Sequence, residues 1–540
     1  MPPDPFIQAA PQPSHPWRGD RVLRNFLAAA MPRQAIEAIA QELEGFGDRI
    51  LALYEAQAED RLNEPRLVAF DPWGARVDRI EVTAHWKSCE RLAAEHGLVA
   101  TAYERKLGAY SRLHQAALIH LFHPASEVYS CPLAMTDGAA KTLMVHRAQP
   151  EAVAHLTSRD PAAFWTSGQW MTESTGGSDV GLTTTEARLG EDFIWRLHGR
   201  KWFTSAAASQ MALTLARPEG NPSGGKGLAL FYVECRNADG SPNGYRVNRL
   251  KDKLGTRKLP TAELDLDGMA AHPVAGLTDG IKAIAPMLSV TRTWNALCAV
   301  ATMRRGLDLA RDYARRRVAF GAPLDEKPLH LDTLAGVQAE FEGAFQLAFR
   351  AAMALGREEC GESDGALLRV LAPLAKLCTA KQAVAGVSEL LEAFGGAGYI
   401  EDTGLPVLLR DVQVLSIWEG TTNVLALEAW KAIQAAGGLG ILKSECEAAL
   451  EGTPFGETAQ AVRAALAKAE AWWAEPDEAS ARGFALTLAR SLELALLAKQ
   501  AAKDGDPRSA TAVARFTEHG VDRLRRSAIE ASRRLALDEI

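Results

Sequence analysis

The chain has 540 residues, 47% hydrophobic and 24% charged, a composition typical of globular proteins and unlike that of disordered or collagenous ones. Its length exceeds one ordinary core, so several packed units are expected. The formal charge of −7 gives no general electrostatic reason to bind nucleic acid or an anionic membrane, and such a role would need a local patch.

Residues 1–18 hold Pro2, Pro3, Pro5, Pro11, Pro13 and Pro16, too many for helix or central strand, and read as an extended arm. The start carries no basic segment followed by an apolar core, so no secretory signal is expected, and no apolar run approaches a membrane span. From Asn25 to about Leu156 recurrent Ala and Leu predict helix, broken near Asp71-Pro72-Trp73-Gly74 and His123-Pro124, within an N-terminal helical domain at 19–165. Inside it, the string from Tyr129 to Thr136 opens a further helix that runs through Met144.

Over 166–275 the composition shifts to Gly, Thr and aromatics in short alternating runs at Phe193–Leu197, Met211–Leu215, Leu228–Val233 and Ala262–Leu266. Turn clusters at 221–225 and 238–244 separate them, which predicts a compact β-domain. Helix returns after Pro286, where Leu297, Val300, Ala301, Leu307, Ala310, Tyr313 and Ala314 make one buried stripe on a long helix that stops before Gly321. This helical domain, 276–436, ends at the joint Gly437-Gly438-Leu439-Gly440, and 437–540 form an additional helical extension. Seven cysteines, Cys89, Cys131, Cys235, Cys298, Cys360, Cys378 and Cys446, lack CxxC or Cys/His spacing. That argues against a structural zinc site and a disulfide framework; no metal ligands are assigned, and a reducing cytoplasm fits best.

Three strings bear on chemistry. The segment Leu415-Ser416-Ile417-Trp418-Glu419-Gly420-Thr421-Thr422-Asn423 places one carboxylate between a large apolar residue and a glycine, ahead of a helix-like run from Val424 to Ile433. A carboxylate that loses hydration when substrate binds becomes a stronger base, which suits removal of a weakly acidic C–H proton. Met171-Thr172-Glu173-Ser174-Thr175-Gly176-Gly177-Ser178-Asp179-Val180 opens the β-domain, and Phe394-Gly395-Gly396-Ala397-Gly398-Tyr399 precedes the Glu419 segment. The glycine string is not a dinucleotide-fold fingerprint, because Val387 to Phe394 before it read as helix, not strand.

In this order and spacing the strings resemble the acyl-CoA dehydrogenase flavoprotein family, over roughly residues 90–435. The resemblance implies an α+β multidomain fold: a helical N-terminal domain, a middle β-barrel-like domain and a C-terminal helical bundle, here with the extra extension. It also implies a homotetramer that binds FAD, oxidises an acyl-CoA and passes electrons to an electron-transferring flavoprotein. Positions matching Met171, Thr172, Gly177 and Ser178 contact the flavin or its phosphates, where hydroxyls and glycine amides permit close approach. Phe203 and Ser205, in the string Gly199 to Ser205, stand where common relatives carry Trp and Thr, so stacking on the flavin and the hydrogen bond to N5 are expected in altered form. Arg317 and Phe320, with Gly395 and Gly396, match contacts to the adenosine half of FAD from a neighbouring subunit, a guanidinium facing a pyrophosphate. Pro328 and Glu392 replace family Gln residues, so those contacts are not copied unchanged.

Glu419 matches the family's commoner catalytic base, and Thr421 and Asn423 match flavin contacts after it. A minority of relatives place the base one residue before an Arg on the preceding long helix; here that position is Thr291, and Arg292 is counted with Glu419 among the catalytic residues. The implied chemistry is removal of the α-proton of a thioester by Glu419 as the β-hydride moves to flavin N5.

The long N-terminal block, the strings Cys131 to Thr136, Lys201-Trp202-Phe203 and Arg249 to Arg257, Trp418 before the base, and the extension resemble the AidB-type subgroup of the bacterial alkylation response, which is linked to double-stranded DNA. The extension has 14 Lys and Arg against 16 Asp and Glu, a net of −2, so it is not basic as a whole. Wound as a helix at about 100° per residue, its end would put Arg523, Arg526, Arg533 and Arg534 on one face for phosphates, and Val521, Leu524, Ala528, Ala531 and Leu535 on another for docking. Two functions stay open at this level: an acyl-CoA dehydrogenase, and a DNA-associated flavoprotein with a weak or vestigial dehydrogenase site.

Overall fold

The computed structural model describes residues 8–526 and 528–538, and they form two compact units. A helical unit takes the chain up to Gly47, Gly108–His120 and everything from Asn295; a sheet unit takes Asp48–Leu107 and Leu121–Trp294. Boundaries fall inside the helices Arg33–Glu59, Ser111–Phe122 and Ala285–Arg316, which run through both.

In the sheet unit, a hairpin of β1 (Arg66–Phe70) and β2 (Arg76–Glu81) interrupts the stretch expected to be helical. The Asp71-Pro72-Trp73-Gly74 break is its turn: the Asp71 carboxylate accepts the amides of Trp73 at 2.9 Å and Ala75 at 2.8 Å, and Gly74 takes φ +88°. Helices Ala84–Glu95, capped by the Thr83 hydroxyl, and Ser130–His146 follow.

Seven strands then build the middle domain: β3 (Ser167–Trp170), β4 (Glu186–Leu189), β5 (Trp195–Ser205), β6 (Met211–Pro218), β7 (Ala229–Glu234), β8 (Tyr245–Leu250) and β9 (Thr261–Pro273). β6 pairs with β4 and β7, β4 with β5, β5 with β9, and β9 with β7, so the ring closes; β3 adds to the free part of β6 and β8 to that of β9. The closed ring leaves one interior, filled by Trp170, Leu197, Phe231, Val233, Val247, Leu264 and Met269. Phe193 is not in a strand: it sits at φ +59° in the turn before β5, 85% exposed.

In the helical unit, Pro328–Glu359 and Gly365–Glu392 are paired neighbours, and Phe341, Phe345 and Phe349 recur every four residues, the last two meeting Phe26 of the helix Arg21–Ala30. Beyond Gly437 come Gly440–Leu450, Gly456–Ala474, Ala481–Asp504 and Pro507–His519. Ala481–Asp504 is buried nearly all round and packs on Pro328–Glu359 and on Thr422–Ala435, so these helices share one core with the preceding bundle. No helix among the described residues is long and apolar enough to cross a membrane.

Residues 520–526 depart from the expected terminal helix. The amide of Leu524 goes to the Asp522 carboxylate at 2.9 Å and that of Arg523 to the Thr487 hydroxyl at 2.9 Å, so side chains take donors that a helix ladder needs. Helix resumes only at Ile529–Leu537.

Candidate active site

Within the sheet unit, the Met171–Ser178 loop is built around Glu173, whose side chain is buried. One carboxylate oxygen accepts Lys201 Nζ at 2.8 Å and the Thr185 hydroxyl at 2.6 Å; the other accepts the Thr184 amide and hydroxyl, both at 2.7 Å. Burial opposes ionisation here, but the Lys201 charge and these donors outweigh it and hold the carboxyl at about 2. Lys201, fully buried, also donates to the Leu215 carbonyl at 2.8 Å. The loop is thereby fastened from beneath and its outer residues, Ser174 to Asp179, stay exposed.

The second fastening lies on β5. Between Lys201 and Thr204 the register against β9 slips by one residue, and this bulge carries Trp202 and Phe203. The Trp202 amide donates to the Thr172 carbonyl at 3.0 Å, so Thr172 and the bulge move as one piece. Phe203 is left 55% exposed, and the Lys251 ammonium stands 3.6 Å from the Trp202 ring centroid and 4.7 Å from that of Phe203. Ser205 is half-buried, its hydroxyl 3.1 Å from that of Thr261. Met171, Thr172, Gly177, Ser178, Phe203 and Ser205 are thus carried on one loop and the strand that pins it.

This half fits a flavin nucleotide. A Cβ at Gly177 would come within 2.7 Å of the Thr172 hydroxyl, so a larger residue there would displace the Thr172 side chain, and the Gly177 and Ser178 amides have no acceptor among the described residues. Exposed amides beside hydroxyls form a seat for phosphate oxygens, and Phe203 offers an open aromatic face. Arg292 and Thr291 also lie in the sheet unit, both buried on Ala285–Arg316.

The helical unit carries Glu419, half-buried at φ +57° just after the helix Pro406–Leu415. Gly420 follows at φ +106°, where a Cβ would meet Leu425 at 2.9 Å. Thr421 is the N-cap residue of Thr422–Ala435, with Asn423 in its first turn. Two residues that sequence reasoning missed reach this segment. Asn295 donates Nδ2 to the Leu415 carbonyl at 3.2 Å and accepts the Trp418 indole N–H; Lys376 donates Nζ to the Gly420 carbonyl at 2.6 Å. The readable signal was a single cation inside the apolar run Leu374-Ala375-Lys376-Leu377-Cys378.

Arg317 closes the last turn of Ala285–Arg316, and Phe320, wholly exposed at φ +50°, tips the small hairpin of β10 (Val318–Ala319) and β11 (Ala322–Pro323). One turn back, Tyr313 packs against Phe394, the residue before Gly395 and Gly396, with ring centroids 5.1 Å apart and planes tilted by 58°. Gly395 needs glycine for its φ of +58°, whereas a Cβ on Gly396 would touch nothing. The described chain gives no packing reason for glycine at 396.

A charged cleft of about 890 Å³ elsewhere in the helical unit, lined by Ser14, Arg304, Asp308, Arg311, Glu342 and Arg515 among others, holds none of the expected site residues. Its charges are largely matched internally, as in Arg304 to Asp308 at 3.4 Å and Arg515 to Glu518 at 3.3 Å.

The proposed DNA face is not formed as expected. Arg523 and Arg526 lie in the irregular 520–526 stretch and Arg533 and Arg534 on a separate short helix, so the four share no helical arc. Arg523 and Arg526 donate to the carbonyls of His519 and Glu475, and Leu535, intended for the docking face, is 87% exposed.

Sequence models of three families match the chain: the Adaptive response protein AidB N-terminal domain at residues 9–160, the acyl-CoA dehydrogenase middle domain at 168–269 and the acyl-CoA dehydrogenase C-terminal domain at 278–434. The chain is 45% identical to acyl-CoA dehydrogenase family member 11 of Caenorhabditis elegans, over 78% of this chain and 71% of that one. It is 31% identical to AidB of Escherichia coli, over 72% and 73%. Among solved structures, that of C. elegans ACDH-11 in complex with C11-CoA superposes with a TM-score of 0.95 at 38% identity, covering 99% of this chain and 97% of that one.

Proposed function

The chain belongs to the acyl-CoA dehydrogenase family, with an AidB-type N-terminal domain, and on that premise we propose that it oxidises an acyl-CoA thioester between Cα and Cβ with FAD as cofactor. The observation that carries this reading is the local architecture of Glu419: a half-buried carboxylate in a left-handed turn, with a glycine that no other residue replaces and a helix N-terminus directly behind.

In this reading FAD, when bound, supplies the acceptor for the β-hydride. Met171, Thr172, Gly177 and Ser178 hold it with hydroxyls and amides, Phe203 and Ser205 offer it a ring face and a hydroxyl, and Thr421 and Asn423 contact it from the Glu419 segment. Arg317, Phe320, Gly395 and Gly396 serve its adenosine half in a neighbouring subunit. Glu419 takes the α-proton, which the thioester carbonyl has made acidic, and keeps it at a carboxylate oxygen until product leaves. Arg292 is the further basic residue assigned to the catalytic set. A CoA thioester as substrate is supported by the ACDH-11 neighbour, whose structure contains C11-CoA.

Anaerobic mixing with acyl-CoA esters of short to long chain, followed by flavin bleaching, tests the reading. Wild type should bleach with at least one ester, and Glu419→Gln should keep its FAD while its bleaching rate falls by about 10²–10⁴-fold. Unimpaired bleaching in that variant, or colourless protein that FAD does not reconstitute, overturns it.

A further inference from the structure

We propose that Lys376 and Asn295 are positioning residues for Glu419, holding the turn that presents it by gripping the backbone on both sides. The inference rests on the reading of Glu419 as the base.

A glutamate at φ +57° is in a conformation that L-residues avoid, and it persists only where its surroundings over-determine it. Backbone bonds fix the approach: the amides of Ile417 and Trp418 both reach the Val414 carbonyl, at 2.8 and 3.1 Å. Two further constraints come from distant helices. Asn295, 4% exposed on Ala285–Arg316, uses both ends of its amide on one segment, donating to the Leu415 carbonyl at 3.2 Å and accepting the Trp418 indole N–H. On Gly365–Glu392, the fully buried Lys376 donates to the Gly420 carbonyl at 2.6 Å.

The placement of these groups argues for more than packing. Taking an ammonium out of water is unfavourable, and a leucine in its place would suit the apolar sequence neighbours Leu374, Leu377 and Cys378 without that penalty. What the leucine lacks is a donor for the peptide that follows Glu419. With Leu415 and Trp418 held from one helix and Gly420 from another, the backbone is fixed on both sides of Glu419, and the turn that carries its side chain is fixed with it. A base displaced by about 1 Å can lose about 10²-fold in rate, so a rigid frame has a catalytic consequence.

The test uses the full-length FAD-loaded protein with Lys376→Met and Asn295→Leu, and Trp418→Phe where either does not fold, since that change deletes one donor and keeps most of the ring. Hydrogen exchange of peptides covering residues 415–421 is measured beside peptides from Ala481–Asp504, together with acyl-CoA bleaching. Expected are exchange at least about tenfold faster in 415–421 alone, unchanged FAD content, KM within about threefold, and a bleaching rate constant lowered by about ten- to hundredfold. Unchanged exchange in all variants overturns the proposal, and so does faster exchange with an undiminished bleaching rate. If no acyl-CoA bleaches wild type, the reading of Glu419 as a base falls by itself. Faster exchange in the variants then still supports their hold on the turn, and unchanged exchange still refutes it.

Discussion

Glu173 lies inside the string assigned to the flavin yet turns inward, away from any ligand, and its work is to fix the loop's underside. It meets Lys201, two threonine hydroxyls and two backbone amides, while both members of the ion pair are buried. Replacing Glu173 with Gln leaves the Lys201 ammonium buried without its counter-charge, and denaturant unfolding should show a loss of roughly 3–5 kcal/mol. Removing both charges, as in Glu173→Gln with Lys201→Met, should cost less than the single change, since no unpaired ion remains. The pH dependence has a definite sign. The carboxyl is held at about 2, below its ordinary 4.5, so the stabilisation is complete above about pH 4.5 and is lost as pH falls towards about 2. None of this was legible in the string itself, where a glutamate among Thr, Ser and Gly looks like any polar turn residue. Its meaning depends on a lysine 28 positions away. The outward residues of the same string, Gly177 and Ser178, stay exposed, and the role expected of them rests on local chemistry alone.

At the scale of elements, periodicity located long helices and the buried strands β6 and β7 with little displacement, since their apolar patterns extend over whole elements, whereas β9 runs on to Pro273, past the expected end at Leu266. It failed where an element is short and its reason lies elsewhere. The β1–β2 hairpin was read as a helix break although Asp71-Pro72-Trp73-Gly74 is itself a turn signature. What stabilises it is remote: Asp78, fully buried at φ +41°, accepts the Val247 amide at 3.1 Å and Arg76 Nε at 2.8 Å, and Arg236 donates to the Val77 carbonyl at 2.8 Å. Asp78→Ala should therefore cost about 1–3 kcal/mol by urea unfolding, because it strands a buried amide and removes a side chain suited to positive φ. Asp78→Asn keeps an acceptor and the tolerance for that conformation and should cost less; equal losses would show that the charge alone matters. The terminal stretch from Gly520 failed for the opposite reason. Its helical periodicity is real, but Asp522 and Thr487 capture the amides first.

At the scale of the whole helical unit, the helices beyond Gly437 are joined to the dehydrogenase bundle by buried polar contacts that no local pattern announces. Arg490 holds Glu340 at 2.8 and 3.0 Å and lies 4.5 Å over the Phe516 ring; His519 Nδ1 is 2.8 Å from Glu340, and Gln382 donates to both Glu340 and Glu493 at 3.0 Å. Glu493 faces Gln382 and Cys378 from Gly365–Glu392, Glu340 from Pro328–Glu359 and Arg490 on its own helix. Burial is the largest influence on it and raises its carboxyl to about 8, against the partial opposition of Arg490, so it is protonated at neutral pH. A carboxyl whose folded value lies above its unfolded 4.5 contributes stability that is complete below about pH 4.5 and is lost as pH rises through about 8. Wild type should therefore melt several degrees lower at pH 9 than at pH 6, with exchange rising first in peptides from Ala481–Asp504 and Gly365–Glu392. Glu493→Gln, which keeps the shape and the acceptor but has no proton to lose, should flatten that difference. A variant that melts with the wild-type pH dependence would move the titrating group elsewhere.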